Sequence, residues 1–451
     1  MALFTGAGMS SWFTKFHCIG LLVLLGSSPV PSPTMAYNQT SNRAPSGVVA
    51  VSSDTFLSSL GVNTHVDQGY RAASYVAPLR YLGIRNIRDG GRNTAGLIML
   101  HQQTGARVDL VARSDVSSLI AAARTLARVD ALLAIEGPNE PNNWPITYNG
   151  QKGGGKSSWI PVAQFQRDLY AAVKGDPVLK NYPVFHVSEG GAETDNVGLQ
   201  FLSIPKGAGT LFPDGTQYAD YANVHNYVSG TAGGYEDNQA WKAADPTLNS
   251  HWDGLYVEYG RTWRMGFRGY SDPELQDLQR VTTETGWDSV GPGKERLQGV
   301  VLVNTYLAQF KRGWRYTFVY QLRDDEGGDS DQGLYRKNST PKLSATYIHN
   351  LTSILADKAP ASQPGRLNYS IANKPATVHD LLLQKSSGIF ELVIWGEQVS
   401  GSNNLTVNLG GIYATVKIYD TTSGTSPIQI LTNVGSVPLT VSDHAVIIEI
   451  Q

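Results

Sequence analysis

From about residue 55 to about residue 355 short apolar runs alternate with longer segments of helical period, and this rhythm limits the fold more than any other feature of the chain. Parallel strands joined by helical crossovers produce such a pattern. Strands are predicted at 59–64, 84–88, 107–111, 132–136, 184–187, 222–225, 280–283 and 317–321. Helices are predicted at 116–129, 164–174, 296–312 and 343–355. In the first of these Asp115 stands at the cap, and Leu119, Ala122, Ala123, Leu126 and Ala127 form one apolar stripe. Eight strands suit a (β/α)8 barrel, placed at 55–358. An open doubly wound sheet competes, but no glycine-rich nucleotide loop follows the first strand.

The pattern changes after about residue 360. Pro360, Pro364 and Gly365 mark a linker, and helical periods stop. Strand-like runs follow at 380–384, 390–395, 405–409, 415–419, 428–431 and 445–450, separated by turn residues. They predict a small antiparallel β-sandwich over 366–451. At the other end, Lys15, the apolar run from Cys18 to Gly26 and the small-residue site Thr34-Met35-Ala36 read as a signal peptide over 1–36. That run is about half the length a membrane span needs. Residues 37–54 are expected to be a flexible segment. The protein is therefore expected to be secreted, to the exterior or the periplasm, without membrane attachment. The single cysteine, Cys18, lies in the leader, which excludes disulfide frameworks and cysteine chemistry from the mature chain. A net charge of -2 gives no basic field for nucleic acid.

In a barrel of this kind, reacting groups stand at the C-terminal ends of strands. The fourth predicted strand runs out into Gly137-Pro138-Asn139-Glu140-Pro141-Asn142-Asn143-Trp144, and the seventh into Glu284-Thr285-Gly286-Trp287. Each thus delivers a glutamate to the rim, followed closely by breakers and a tryptophan. Cleavage of a glycosidic bond needs two carboxyl groups flanking it, one to protonate the leaving oxygen and one to attack the anomeric carbon or activate water. Read singly, either glutamate is as readily a loop carboxylate in a salt bridge. Together, on strands four and seven of eight, they point to the catalytic pair.

At these positions the chain resembles clan A of the glycoside hydrolases. In that clan an Asn-Glu pair ends strand four, with the Glu as acid/base, and a Glu ends strand seven as nucleophile; Asn139, Glu140 and Glu284 match. Arg88 stands where the clan has a strand-two arginine near the nucleophile, and His225-Asn226-Tyr227 matches the His-x-Tyr ending strand six. Within the clan the run is similar to family 39 and its neighbours, which include β-xylosidases, α-L-iduronidases and exopolysaccharide endoglycosidases. The resemblance spans roughly residues 55–355 and implies retaining chemistry, with carboxyl groups about 5–5.5 Å apart. It implies that Arg88 and Tyr227 support an ionised Glu284, that Asn139 holds the sugar 2-hydroxyl, and that burial and the Glu284 charge keep Glu140 protonated.

Other residues are candidates by position. Trp144 and Trp287 follow the two glutamates and are expected to line the cleft, with His65 and Tyr320 as further sugar contacts; a rim or core histidine is an equal reading of His65. Trp241, Trp252 and Trp263 read equally as cleft wall or core. Glu136 is expected in a buried network, Glu189 either at the substrate or in a salt bridge, and Glu258 away from the chemistry. The acidic run 324–331 reads as a solvated loop, with Ca2+ or a polar substrate unit as alternatives, because it lacks the EF-hand spacing. No metal or cofactor is expected. The sequence therefore predicts a retaining glycosidase acting on a β-linked polysaccharide or oligosaccharide, with endo action favoured by the long tryptophan-bearing loops. An exo-acting β-xylosidase-like enzyme, a transglycosylase and a non-catalytic carbohydrate-binding protein are the alternatives.

Overall fold

The computed structural model describes residues 47–451 apart from 113–114, 189–194, 230–238, 241–260, 292, 326–330, 358 and 399. Eight parallel strands make one sheet: β1 (Leu60–Asn63), β2 (Asn86–Gly90), β3 (Arg107–Ala112), β4 (Leu132–Pro138), β5 (Val184–Phe185), β6 (Ala222–His225), β7 (Arg280–Thr285) and β8 (Trp314–Val319). Their order is β6-β7-β8-β1-β2-β3-β4-β5. A parallel bridge between Phe185 and Tyr221, with His186 N donating to Tyr221 O, brings β5 back against the start of β6. The sheet closes on itself as the predicted (β/α)8 barrel, not an open sheet.

The crossover helices bury apolar stripes against the barrel, the first of them behind a side-chain cap. Asp115 accepts from Ser117 N at 2.9 Å and starts α1 (Val116–Ala127), which buries Leu119, Ile120, Ala123 and Leu126. The helices α2 (Ile160–Gly175), α3 (Lys294–Lys311) and α4 (Leu343–Ile354) pack the barrel's outer face in the same way. Inside the barrel the lower layer is apolar. Leu133, Phe185, Val281, Tyr316 and Phe318, from β4, β5, β7 and β8, fill it. Gly61 on β1 leaves room for them, since a Cβ there would stand 2.3 Å from the Phe318 ring. Toward the C-terminal ends of the strands the interior turns polar, with Arg88, Asp109, Glu136, His225 and Thr283 all buried.

The C-terminal domain is built from β9 (Val378–Gln384), β10 (Phe390–Gly396), β11 (Asn403–Asp420), β12 (Gln429–Val441) and β13 (Ala445–Ile450), paired antiparallel in the order β9-β10-β13-β11-β12. The two strands predicted at 405–409 and 415–419 are one bent strand. Its register with β12 breaks between Asn408 and Tyr413, where Gly410 takes a φ of 71°. A glycine bulge bends a strand without ending it. The bent β11–β12 hairpin thereby brings Val407, Val416 and Val437 into one core with Leu392, Ile394 and Ile448 of β10 and β13 to give the sandwich.

Of the segment 37–54 expected to be flexible, residues 37–46 lie outside the described residues, and the rest forms regular elements. Val48–Val49 pairs with Arg366–Leu367, Val51–Ser52 pairs in parallel with Leu383 and Gln384 of β9, and a helix follows at Ser53–Leu57. Two-residue strands that pair with the far end of the chain leave no local periodicity to read. The expected signal peptide lies outside the described residues. Among those described, no helix is long and apolar enough to cross a membrane. The sandwich docks on α3 and α4: Asn304 Nδ2 donates to Gly396 O and Asp443 O at 3.0 and 2.9 Å, Arg296 forks onto Asp443 at 2.7 and 2.9 Å, and Asn350 Nδ2 donates to Thr421 O at 2.8 Å.

Replacing Gly61 by alanine should overpack the barrel floor and lower unfolding stability by about 1–3 kcal/mol. Urea unfolding followed by circular dichroism measures this; an unchanged midpoint would mean that the Phe318 ring gives way freely.

Candidate active site

The site lies where the polar upper layer opens at the C-terminal rim. Gly137 and Pro138 end β4, and Asn139 makes one more bridge, to Ser188 beyond β5. Glu140 then adopts a φ of 39°, in the left-handed region that residues with a Cβ avoid. The turn that follows holds it there, since its carbonyl accepts from Asn143 N at 2.9 Å and Trp144 N at 2.7 Å. Strained backbone of this kind marks functional positions, because the surroundings must over-determine it.

Arg88, 5% exposed on β2, is the hub. Its Nε and Nη2 donate to Glu136 Oε2 and Oε1 at 2.6 and 2.8 Å. Nη2 also donates to Asn139 Oδ1 at 2.7 Å, and Nη1 to Glu284 Oε1 at 2.6 Å. Tyr227 OH donates to the other oxygen of Glu284 at 2.7 Å. Burial and the Glu284 charge push the Tyr227 hydroxyl well up, so it stays a neutral donor. His225 Nδ1 lies 2.6 Å from Glu140 Oε1 and 3.6 Å from Glu284 Oε2, and its Nε2 lies 3.1 Å from Thr283 Oγ1. One atom each of Glu140, His225 and Glu284 lies within 4.8 Å of the others.

The expectation that burial and Glu284 keep Glu140 protonated meets an opposing neighbour in His225. Burial does push the carboxyl up. The hydrogen bond and charge of His225, helped by Asn143 at 3.0 Å and by Arg88, outweigh it and bring Glu140 down to about 2. His225 moves oppositely: burial lowers it, but Glu284 and Glu140 raise it above its ordinary value. Both shifts favour an imidazolium facing a carboxylate across this contact over the proton expected on Glu140. The sequence could not show this, because it does not reveal which ring nitrogen meets which carboxyl.

The remaining predicted residues divide. Trp144 stands beside Glu140 with 69% of its surface exposed. Trp287 is 4% exposed and belongs to the main apolar core, where Gln298 Nε2 holds its carbonyl at 2.9 Å; it is a packing residue and not the expected cleft platform. Trp263 is core as well, against Phe267 and Trp314, while Trp241, Trp252, Glu189 and Glu258 lie outside the described residues. The Tyr320 ring sits between those of His65, at 5.5 Å, and Tyr227, at 6.3 Å. His65 Nδ1 pairs with Asp325 at 2.9 Å, and Tyr70 OH donates to the same oxygen at 3.2 Å. Asp324 is buried against Lys342 Nζ at 2.8 Å. The first two carboxylates of the acidic loop are thus committed to protein partners, and 326–330 lie outside the described residues. Glu140, His225 and Glu284 are the one group among the described residues spaced to hold a metal ion. The guanidinium 2.6 Å from Glu284 opposes a dication there.

Sequence reasoning missed Asn143, Thr283, Asp109 and Asp325. Asp109 did leave a signal, a lone carboxylate inside the apolar strand run 107–112. Asp325 was visible, but in a loop whose charge density suggested calcium instead of a histidine partner.

No protein-family model matches the sequence, and no curated protein matches it. Solved structures do. A family 39 glycoside hydrolase from the gut symbiont Bacteroides cellulosilyticus WH2 superposes with a TM-score of 0.55 at 14% identity, over 89% of this chain and 82% of that one. A GH51 arabinofuranosidase from Xanthomonas axonopodis pv. citri gives 0.51 at 13%, over 90% and 98%. A GH30 endoxylanase from Clostridium papyrosolvens C71 gives 0.50 at 11%, over 90% and 97%. The likeness is one of fold: this chain has the (β/α)8 barrel and C-terminal β-sandwich of clan A glycoside hydrolases.

Replacing Arg88 by methionine should leave Glu136 and Glu284 as uncompensated buried charges and lower stability by about 3–5 kcal/mol. Chemical denaturation reads this directly; a loss under about 1 kcal/mol would show that Arg88 is not their counter-charge.

Proposed function

We propose that the protein is a secreted retaining glycoside hydrolase that cleaves β-glycosidic bonds of an extracellular or cell-wall polysaccharide by double displacement, acting within the chain. The observation that carries this reading is the approach of Glu140 and Glu284. They stand at the ends of β4 and β7 with oxygens within 4.8 Å. Retaining enzymes hold their two carboxyl groups about 5–5.5 Å apart, whereas inverting ones leave about 6.5–9.5 Å for a water. The supports around each glutamate fit distinct roles. Glu284 is fixed by Arg88 and Tyr227 as an anion with both oxygens aimed by hydrogen bonds. Glu140 is tied to a proton source.

The steps follow from this geometry. Glu284 attacks the anomeric carbon, and Glu140 delivers a proton to the leaving oxygen. His225 Nδ1 resupplies that proton across its 2.6 Å hydrogen bond. As Glu284 becomes an ester its charge disappears, so the imidazolium loses one of the two anions that favoured it. Neutral His225 is then the stable form, and Glu140 remains a carboxylate. In the second half water attacks the anomeric carbon and Glu140 accepts its proton. The returning charge on Glu284 draws that proton back to His225. Each half-reaction balances, and the site ends as it began.

Substrate recognition rests on the rim. The exposed Trp144 belongs to the turn that holds the acid/base glutamate, and its free aromatic face suits stacking on a sugar of a bound chain. This supports action within a chain over release of terminal units. Asp325, held by His65 and Tyr70, fixes the His65 ring beside Tyr320. The signal-peptide pattern of the first 36 residues supports secretion.

Glu284→Gln should lower kcat by about a thousandfold or more on polysaccharide, with folding retained; near-normal turnover would remove the assignment, and anomeric NMR of the wild-type product tests retention directly. His225→Asn should move the alkaline limb of kcat/KM to lower pH. His225 is raised above its ordinary value in the wild type, so the acid form there persists above the usual histidine range, whereas in the variant the proton sits on a carboxyl. An unmoved limb would show that His225 does not hold the catalytic proton.

A further inference from the structure

Beneath the two glutamates lies a buried carboxyl that the steps above do not use. Asp109, in the middle of β3, is wholly buried. It is the register partner of Arg88 on β2 and of Ala134 on β4, two residues before Glu136. Asp109 and Glu136 thus stand on the same interior face of neighbouring strands, and their carboxyl groups are close enough for each to shift the other. No described donor reaches either oxygen of Asp109 when it is counted as a carboxylate. Two carboxylates repel at such contact, and one shared proton turns the contact into a strong hydrogen bond.

The surrounding donors decide which group holds the proton. Glu136 accepts from Arg88 twice, at 2.6 and 2.8 Å, and from Thr283 Oγ1 at 3.1 Å. All three favour its anion, whereas an Asp109 anion would have only the Arg88 charge on its side and no described donor. Burial pushes Asp109 well above the usual carboxylate range, and the Glu136 charge pushes it further. Glu136 is buried too, but the Arg88 charge and hydrogen bonds hold it low.

We propose that Asp109 is a positioning residue of this centre: a neutral carboxyl that donates its proton to Glu136 and so fixes the carboxylate on which Arg88 and Thr283 rest. The groups facing it are Glu136 from β4 and Arg88 from β2, with Glu284 of β7 and His225 of β6 beyond them. Glu136 is where two hydrogen-bond chains meet. One runs through Arg88 to Glu284. The other runs through Thr283 Oγ1 and His225 to Glu140. With Asp109 neutral, three carboxylates face two cations, Arg88 and His225. An ionised Asp109 would add a fourth anion and compete with Glu284 for the guanidinium.

The test compares Asp109→Asn, whose amide N–H can donate where the carboxyl O–H did, with Asp109→Leu, which cannot donate. The kinetic arm rests on the glycosidase reading; the spectroscopic arm does not. Infrared difference spectra of wild type against Asp109→Asn near neutral pH should show the carbonyl band of a buried protonated carboxyl lost in the variant. Asp109→Asn should keep kcat within about threefold, while Asp109→Leu should lose about ten- to a hundredfold in kcat with KM little changed. The absence of that band in the wild type overturns the proposal whether or not the protein cleaves glycosides. So does equal loss of kcat in both variants, which would mean that the charge and not the donor matters. Unaltered kcat in Asp109→Leu overturns it as well. Should the leucine variant fail to fold, the infrared spectrum and the kcat of Asp109→Asn still decide it. Inactivity of the wild type on every glycoside would count against the function alone.

Discussion

The upper half of the barrel depends on one buried guanidinium. Arg88 is almost sealed from water, yet it meets Glu136, Asn139 and Glu284 at hydrogen-bond distance. A charge removed from water costs several kcal/mol unless close partners replace the lost hydration. Here the replacement comes from β4 and β7 at once, so one side chain fixes the relative positions of three strand ends. Asn139 and Glu284 are held directly, and Glu140 is carried by the turn that begins at Asn139. Arginine suits this task better than lysine because its planar fork can serve several acceptors in fixed directions.

Around that hub the charges are arranged in two lines that share Glu136. Because Glu284 is close to both Arg88 and His225, a change in its charge reaches Glu140 through the imidazole without any movement of the backbone. In the proposed reaction this links the covalent state of one glutamate to the proton on the other. The left-handed backbone at Glu140 belongs to the turn that sets its carboxylate against His225 and leaves Trp144 exposed.

The barrel was legible in the sequence because its information is local. Period and breakers place each strand near its observed position, and Asp115 caps α1 as its spacing predicts. The clustering of Arg88, Asn139, Glu140, His225, Tyr227 and Glu284 was legible because all stand at strand ends on one rim. What was not legible depends on distance in space. The protonation of Glu140 turns on a 2.6 Å contact with a residue 85 positions away. Trp287 shares its sequence setting with Trp144, but the chain after β7 turns inward under α3 and buries it. The glycine pair in β11 looks like a turn and acts as a bend, because a partner strand continues across it.

The short strands before the barrel have a consequence for how the molecule comes into being. Val48–Val49 and Val51–Ser52 find their partners at Arg366–Leu367 and on β9, on the far side of the whole barrel sequence. A ribosome therefore releases the first strands of the sandwich long before it makes the rest of that sheet. The barrel can assemble in the interval, since its neighbours are successive in the chain. The five long strands of the sandwich pair among themselves, while Val51–Ser52, made before the barrel, adds an edge strand to β9 and so stays without its partner until the chain beyond the barrel is made.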